Sequence, residues 1–259
     1  MHQMRIKKIL KWCIPRGIYE HMKKRRLKSR AILEPINTSI DITRNIGDAW
    51  KTDDSTEKYS NKYYDFAENI IGFFWEENTI FYKRFKQLDC SRIVELACGH
   101  GRHVQRYLDK ANNISLVDIN QQNIDFCKER YSKEIKIKYF VNTGNDFKDI
   151  ESNSQTAVFS YDAMVHFELL DILSYLKDAN RILINGGKLL FHHSNADYAP
   201  EQGWRKPHGR NFMSADIFAY LALRHGFAVL SQDIFSWGNG NRCYEDLDCL
   251  SLCQKVNTI

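Results

Sequence analysis

Ile93–Tyr107 reads IVELACGHGRHVQRY, and this stretch sets the reading of everything around it. The apolar pair Ile93-Val94 leads into Glu95, followed by the small-residue run Ala97-Cys98-Gly99-His100-Gly101. Val104 and Tyr107 then recur at helical spacing, so the order is strand, tight turn, helix. Such a turn lies at the carboxyl end of its strand, where open α/β sheets bind ligands. Gly99 and Gly101 carry no Cβ and let a backbone or ligand approach closely.

The stretch resembles motif I of the class I S-adenosylmethionine-dependent methyltransferases, an acidic residue followed by small-x-Gly-x-Gly. Ala97 stands where that family usually has its first Gly. The resemblance spans about residues 56–254. It implies an α/β, Rossmann-like, seven-stranded and mostly parallel sheet with an antiparallel last strand, helices on both faces and a helical N-terminal cap. The implied cofactor is S-adenosyl-L-methionine.

Downstream residues extend the pattern. Ile114–Val117 is a short buried strand ending at Asp118, 23 residues beyond Glu95. An acidic side chain there can accept both ribose hydroxyls, two donors meeting two carboxylate oxygens. Asn120 is placed to cap a helix over Gln121–Tyr131. Ile135–Val141 reads as the third strand, followed by Asn142-Thr143-Gly144-Asn145-Asp146. In the family a polar residue just past this strand holds the adenine amino group; Asn145 and Asp146 both qualify, and either also suits a plain turn. Thr156–Ser160 is a fourth strand leading into Tyr161-Asp162-Ala163-Met164-Val165-His166, and a helical period continues to Asn185-Gly186-Gly187. Lys188–Phe191 is a fifth strand. Ser214 caps a helix closed by Gly226, and Phe227–Ile234 and Asp248–Gln254 are two final strands. By the resemblance, the cofactor-binding positions are Glu95, Ala97, Gly99, Gly101, Asp118, Asn145, Asp146 and Tyr161.

Upstream, residues 56–88 are helical in pattern and rich in aromatics, mostly core, with one or two of Tyr59, Tyr63 and Tyr64 facing the site. Tyr63 is the substrate-binding candidate among them. Residues 34–56 are polar and read as a linker, so residues 1–55 form a basic leader and linker and 56–259 the methyltransferase domain. Residues 1–30 carry 11 Lys and Arg against Glu20 alone, a local balance of +10, which leaves −5 on the remainder. That leader fits a solvated tail, a helix on anionic lipid, or a nucleic-acid contact. A mildly acidic main domain favours a small-molecule substrate over nucleic acid. The turn after strand four also lacks the Asp/Asn-Pro-Pro-aromatic signature of enzymes that methylate bases. The seven cysteines form no CxxC pair and fit thiols of a reducing cytoplasm, with peripheral contact at the inner membrane face through residues 1–30.

An alcohol acceptor needs its proton removed as the new bond forms, and a neutral histidine suits that task. His193, at the end of strand five, and His166, past strand four, are the catalytic candidates. Successive strand residues face opposite ways, so only one of His192 and His193 faces the pocket. His192 and Arg210 are further substrate-binding candidates. No metal site is expected, because Asp162 lacks enough hard oxygen partners near strand five. The region from His192 to Trp237 resembles methyltransferases of polysaccharide and capsule clusters, which implies a hydroxyl of a sugar or a phosphorylated precursor as acceptor. Two other classes stay open, a non-catalytic S-adenosylmethionine-binding partner in a complex and a nicotinamide-dependent oxidoreductase. The second would need Gly where Val104 stands.

Overall fold

A computed structural model describes residues 41–50, 60–197, 208–238 and 244–256. Seven strands form one sheet: β1 (Arg92–Leu96), β2 (Asn113–Asp118), β3 (Ile137–Val141), β4 (Gln155–Ser160), β5 (Leu183–Ser194), β6 (Phe227–Trp237) and β7 (Tyr244–Lys255). Their spatial order is β3-β2-β1-β4-β5-β7-β6. β1 to β5 run parallel, while β7 is antiparallel to both β5 and β6. The central strands are continuous apolar runs because both faces are covered, and β4 is buried at every residue.

The helices are α1 (Ile42–Asp48), α2 (Ser60–Asn69), α3 (Ile71–Phe74), α4 (Ile80–Phe85), α5 (Gln121–Arg130), α6 (Leu169–Ile182) and α7 (Ala215–Arg224). On one face Phe74, Phe81 and Phe85 pack with Ile124 and Cys127 over Ile93, Ile114 and Phe159. On the other, Ile172, Leu176, Phe218 and Ala222 of α6 and α7 cover Val94, Val158 and Leu189. Ser214 caps α7 by accepting from Ile217 N–H, as its position before the apolar period predicts.

Two elements differ from the sequence reading. The expected helix after Gly101 is a pair of 3₁₀ turns, Val104–Arg106 and Leu108–Lys110. In the 16 residues between β1 and β2, His103 and Tyr107 are drawn into the core, and Tyr107 donates from there to Glu95. Residues 42–48, within the expected linker, form α1, with Asp41 accepting from Arg44 N–H as its cap. Residues 1–30, and with them the basic leader, lie outside the described residues, as do Tyr59 and the start of the aromatic segment. Among the described residues no helix is long and apolar enough to cross a membrane.

The order reverses between β1 and β4, and the turns leaving these two strands part to opposite sides. A crevice opens at such a switch point. Glu95, Asp118 and Tyr161 all reach it, because the register pairs Glu95 with Phe159 and Leu96 with Val117.

Candidate active site

The crevice is a cleft of about 1000 Å³ counted to its open mouth. Its floor is the turn after β1 with Glu95, Asp118 and Asn120; its far wall is Tyr161–Ala163 with His166; α1, Trp50 and Tyr64 stand over it.

The motif turn is held by its own backbone geometry. Ala97, Gly99 and Gly101 have φ of 53°, 51° and 69°, all left-handed. Glycine adopts this region freely, whereas Ala97 sits there against its Cβ. A Cβ on Gly101 would meet Tyr131 at 2.9 Å and Cys127 Sγ at 3.2 Å, so that glycine is required by packing beneath the turn. A Cβ on Gly99 would meet the Tyr64 ring at 2.9 Å, so there the close approach comes from the roof.

Asp118 is buried and anchors the turn: one carboxylate oxygen accepts from Gly99 N–H at 2.9 Å. The other accepts from Asn120 N–H at 2.8 Å and Asn123 Nδ2 at 3.1 Å. Burial raises its pKa, and these N–H donors pull it back toward the ionised form. Asn120 does stand at the N-cap of α5, but its side chain donates to Gly47 of α1 at 3.1 Å instead of capping. Asn123 gives its amide hydrogens to Asp118 and the Tyr64 hydroxyl, leaving Oδ1 buried with no partner among the described residues.

Glu95 is buried at the end of β1, and its carboxyl accepts from the Tyr107 hydroxyl at 2.6 Å. Burial pushes its pKa up to about 8, against the pull of that hydroxyl and of Arg102. A cationic group entering the cleft would restore the carboxylate.

Three contacts fasten the roof. Thr43 Oγ1 lies 2.8 Å from both carboxylate oxygens of Asp171, Gly47 O accepts from Asn120, and Trp50 O accepts from the Tyr64 hydroxyl at 3.3 Å. Burial raises the Asp171 pKa to about 6. The linker reading missed this roof; the legible signal was Asp41 ahead of Ile42 and Ile46 at helical spacing.

The histidines separate sharply. His166 lines the cleft with Trp50, whose ring centroid is 4.9 Å away. Its Nδ1 is 2.7 Å from Gly209 O, and since a carbonyl only accepts, the neutral ring carries its proton on Nδ1 and keeps a lone pair on Nε2. Burial lowers its pKa to about 4. His193, by contrast, faces away from the cleft. It is fully buried against Phe218 at 4.1 Å, with Nε2 on Ser251 Oγ and Nδ1 on Ser194 O, both at 2.8 Å. His193, expected as a catalytic residue, is not brought to the cleft: strand alternation turns it into the α7 core, where burial drives its pKa to about 3.

His192 and Arg210, expected at the substrate, lie behind the wall instead. Arg210 makes a bidentate pair with buried Asp248, both contacts at 2.7 Å, and lies over Trp237. His192 Nε2 is 3.2 Å from the same carboxylate, at an angle too oblique for a regular hydrogen bond. Burial opposes ionisation of Asp248, but His192 and Arg210 outweigh it and its pKa falls below the usual value. Asp162 has φ of 61° and pairs with Arg102 at 3.1 Å. Arg102 and His103, passed over in the sequence reading, both line the cleft.

The remaining expected positions divide. Tyr161 lines the cleft beside Phe74 and Phe81. Gly144 lines it as well, whereas Asn145 and Asp146 do not; Asp146 is held within its own loop, and the Asn145 side chain also hydrogen-bonds Asp171. Asp146 accepts from the Thr143 hydroxyl and from Lys148 N–H at 3.1 Å, and Asn145 accepts from Thr143 at 3.0 Å. Tyr63 stands in α2, and its side chain lies outside the described residues. No group of three or more His, Cys, Asp or Glu among the described residues is arranged to hold a metal ion.

A sheet in this order, with an antiparallel β7 and a cleft at the β1/β4 switch point, defines the Rossmann-like fold of the class I methyltransferases. Residues 94–191 match the family model of a methyltransferase domain. The cofactor that this match implies is S-adenosyl-L-methionine. No curated protein matches the chain. Among solved structures, an S-adenosylmethionine dependent methyltransferase from Mesorhizobium loti is 14% identical, covering 68% of this chain and 97% of its own, with a TM-score of 0.56. The PH0226 protein from Pyrococcus horikoshii OT3 is 20% identical, covering 77% of this chain and 94% of its own, with a TM-score of 0.52. At such identities the likeness is one of fold.

The residues present fit that cofactor. Asp118 is an acceptor suited to hydroxyl or amino donors, as is Asn123 Oδ1, which has no partner among the described residues, and Glu95 is an acid in the lining suited to an ammonium group. Asp118, Gly99 and Gly144 would hold the nucleoside, with Glu95 and Tyr161 toward the other end.

Proposed function

We propose that this protein methylates a hydroxyl of a small-molecule acceptor, a sugar or a phosphorylated precursor of a surface polysaccharide. The bound cofactor supplies an activated methyl on a sulfonium, and displacement at that carbon demands mainly alignment. The observation that carries the reading is His166, neutral, with its tautomer set by Gly209 and its Nε2 lone pair retained on the cleft wall. Such a group accepts a hydroxyl proton as the acceptor oxygen forms its new bond. Trp50 and Tyr64 offer flat apolar faces beside the polar His166, Asp162 and Arg102, a lining that suits a polyol. Asp162 and Arg102 hold each other and present a neutralised pair to that side.

The test is release of S-adenosylhomocysteine on incubation with S-adenosylmethionine and a panel of nucleotide sugars, glycans and phosphorylated small molecules. Binding of the cofactor with no turnover on any acceptor would favour a non-catalytic partner instead. Asp118→Ala should weaken binding by about 1.5–3 kcal/mol, because hydrogen bonds to a charged acceptor are lost. We further propose that residues 1–30 carry peripheral contact with anionic lipid. Their deletion should abolish salt-sensitive vesicle binding and leave turnover intact.

A further inference from the structure

Trp50 follows α1 and stands over the side of the cleft where His166 lies. Its ring centroid is 4.9 Å from that of His166, with the planes 40° apart. It is 4.4 Å from that of His208, whose ring meets it edge-on at 69°. The next residue, Gly209, supplies the carbonyl 2.7 Å from His166 Nδ1. Two consecutive residues before α7 therefore hold both rings, His208 the indole and Gly209 the imidazole.

The Trp50 backbone is anchored independently. Its N–H donates to Gly47 O at 3.1 Å, the carbonyl that also accepts from Asn120, and its own carbonyl accepts from Tyr64. The side chain thus swings from a fixed point, and the two imidazoles set where it rests. For His166 the consequence is steric. A single hydrogen bond at Nδ1 lets an imidazole rock about that bond, whereas a ring packed on its face removes the freedom and fixes the aim of Nε2. A base must sit within hydrogen-bond reach of the proton it removes, so such aim decides the rate. Trp50 also adds to the burial that dominates the electrostatics of His166. Against that burial, the Gly209 hydrogen bond and Asp162 favour the charged ring, while Arg210 and His208 disfavour it.

We propose, on the reading of His166 as the base, that Trp50 is its positioning residue, packed on the imidazole face so that Nε2 stays aimed into the cleft, and that His208 holds Trp50 in that place. Neither side chain takes the proton. Their part is to keep one orientation and one tautomer of the ring that does.

Nitrogen-15 histidine spectra of the full chain, followed across pH, test this without any acceptor. In the wild type His166 should keep its proton on Nδ1 and titrate near pH 4, where burial places its pKa. Trp50→Leu admits water to the ring, so the pKa should rise to about 5 or above and the two tautomers should mix. Trp50→Phe restores a flat face and should return both readings most of the way. His208→Ala should reproduce the Trp50→Leu change in smaller measure, and His208→Phe, which keeps an aromatic edge, should not. His208 is exposed, so its variants carry the test should Trp50→Leu fail to fold. An unchanged His166 pKa and tautomer in Trp50→Leu, or in His208→Ala where only that variant folds, would overturn the proposal. Turnover on an acceptor found by S-adenosylhomocysteine release should fall about tenfold or more in Trp50→Leu and recover in Trp50→Phe. Full turnover in His166→Gln would instead remove the reading of His166 as the base, a failure the spectra do not share.

Discussion

The backbone N–H of Asp162 donates to Nδ1 of His192 at 3.0 Å, joining the turn after β4 to the end of β5. Because Nδ1 accepts, the neutral His192 ring carries its proton on Nε2, toward Asp248. Asp248 is held in turn by Arg210. The left-handed backbone of Asp162, unfavourable for a residue with a Cβ, is thus fixed from behind the cleft wall.

This buttress predicts a split in kinetic effects. His192→Ala removes the acceptor of the Asp162 N–H and should destabilise the fold by about 1–3 kcal/mol. Turnover should fall while affinity for S-adenosylhomocysteine changes little, because the displaced turn lies at the acceptor end. His192→Asn, whose side-chain oxygen can accept the same hydrogen bond, should recover part of the turnover. Parallel losses of cofactor affinity and turnover would mark His192 as merely structural.

His166 predicts an unusual pH profile. With its pKa lowered to about 4 by burial, it is already neutral at pH 5. kcat/KM should therefore rise through an apparent pKa near 4, well below the ordinary histidine value. His166→Ala should lower turnover by about 10²–10⁴-fold and remove that limb. A wild-type profile rising near pH 6.5 would assign the base elsewhere.

Glu95 predicts how stability responds to pH. Its pKa is 4.5 ordinarily and about 8 when folded, so between these values the unfolded chain has lost a proton that the folded one retains. Stability from this group therefore falls as pH rises through that window. Glu95→Gln removes the dependence while keeping an acceptor for Tyr107. Its stability relative to wild type should grow by about 3 kcal/mol between pH 4 and pH 7, read from urea unfolding. An unchanged difference would mean that Glu95 is ionised in the folded protein.

Ala97 predicts a stabilising substitution. Its φ of 53° is the left-handed region, where a Cβ costs about 1–2 kcal/mol. Ala97→Gly should relieve that strain, offset partly by the greater freedom of glycine in the unfolded chain. A net gain of about 0.5–1 kcal/mol is expected, with cofactor affinity kept, as measured by thermal unfolding and calorimetry.

What the sequence determined by itself was everything carried by local periodicity and steric demand. Continuous apolar runs at Ile93, Ile114 and Thr156 located the central strands, and the Gly99/Gly101 pair with Asp118 located the floor of the cleft. Those features are local: a strand buried on both faces must be apolar, and a left-handed turn favours residues without a Cβ. The side-chain assignments depended on packing between segments far apart in the chain. Alternation limited His192 and His193 to opposite faces, but only the arrival of β7 and α7 decided that His192 meets Asp248 and His193 meets Ser251 and Phe218. His166 gained its tautomer from Gly209, His103 from Trp75, and the cleft gained a roof from α1, whose composition read as a linker. Hydrogen-bond direction and burial arise from partners brought together in space, so no spacing along the chain could have encoded them visibly.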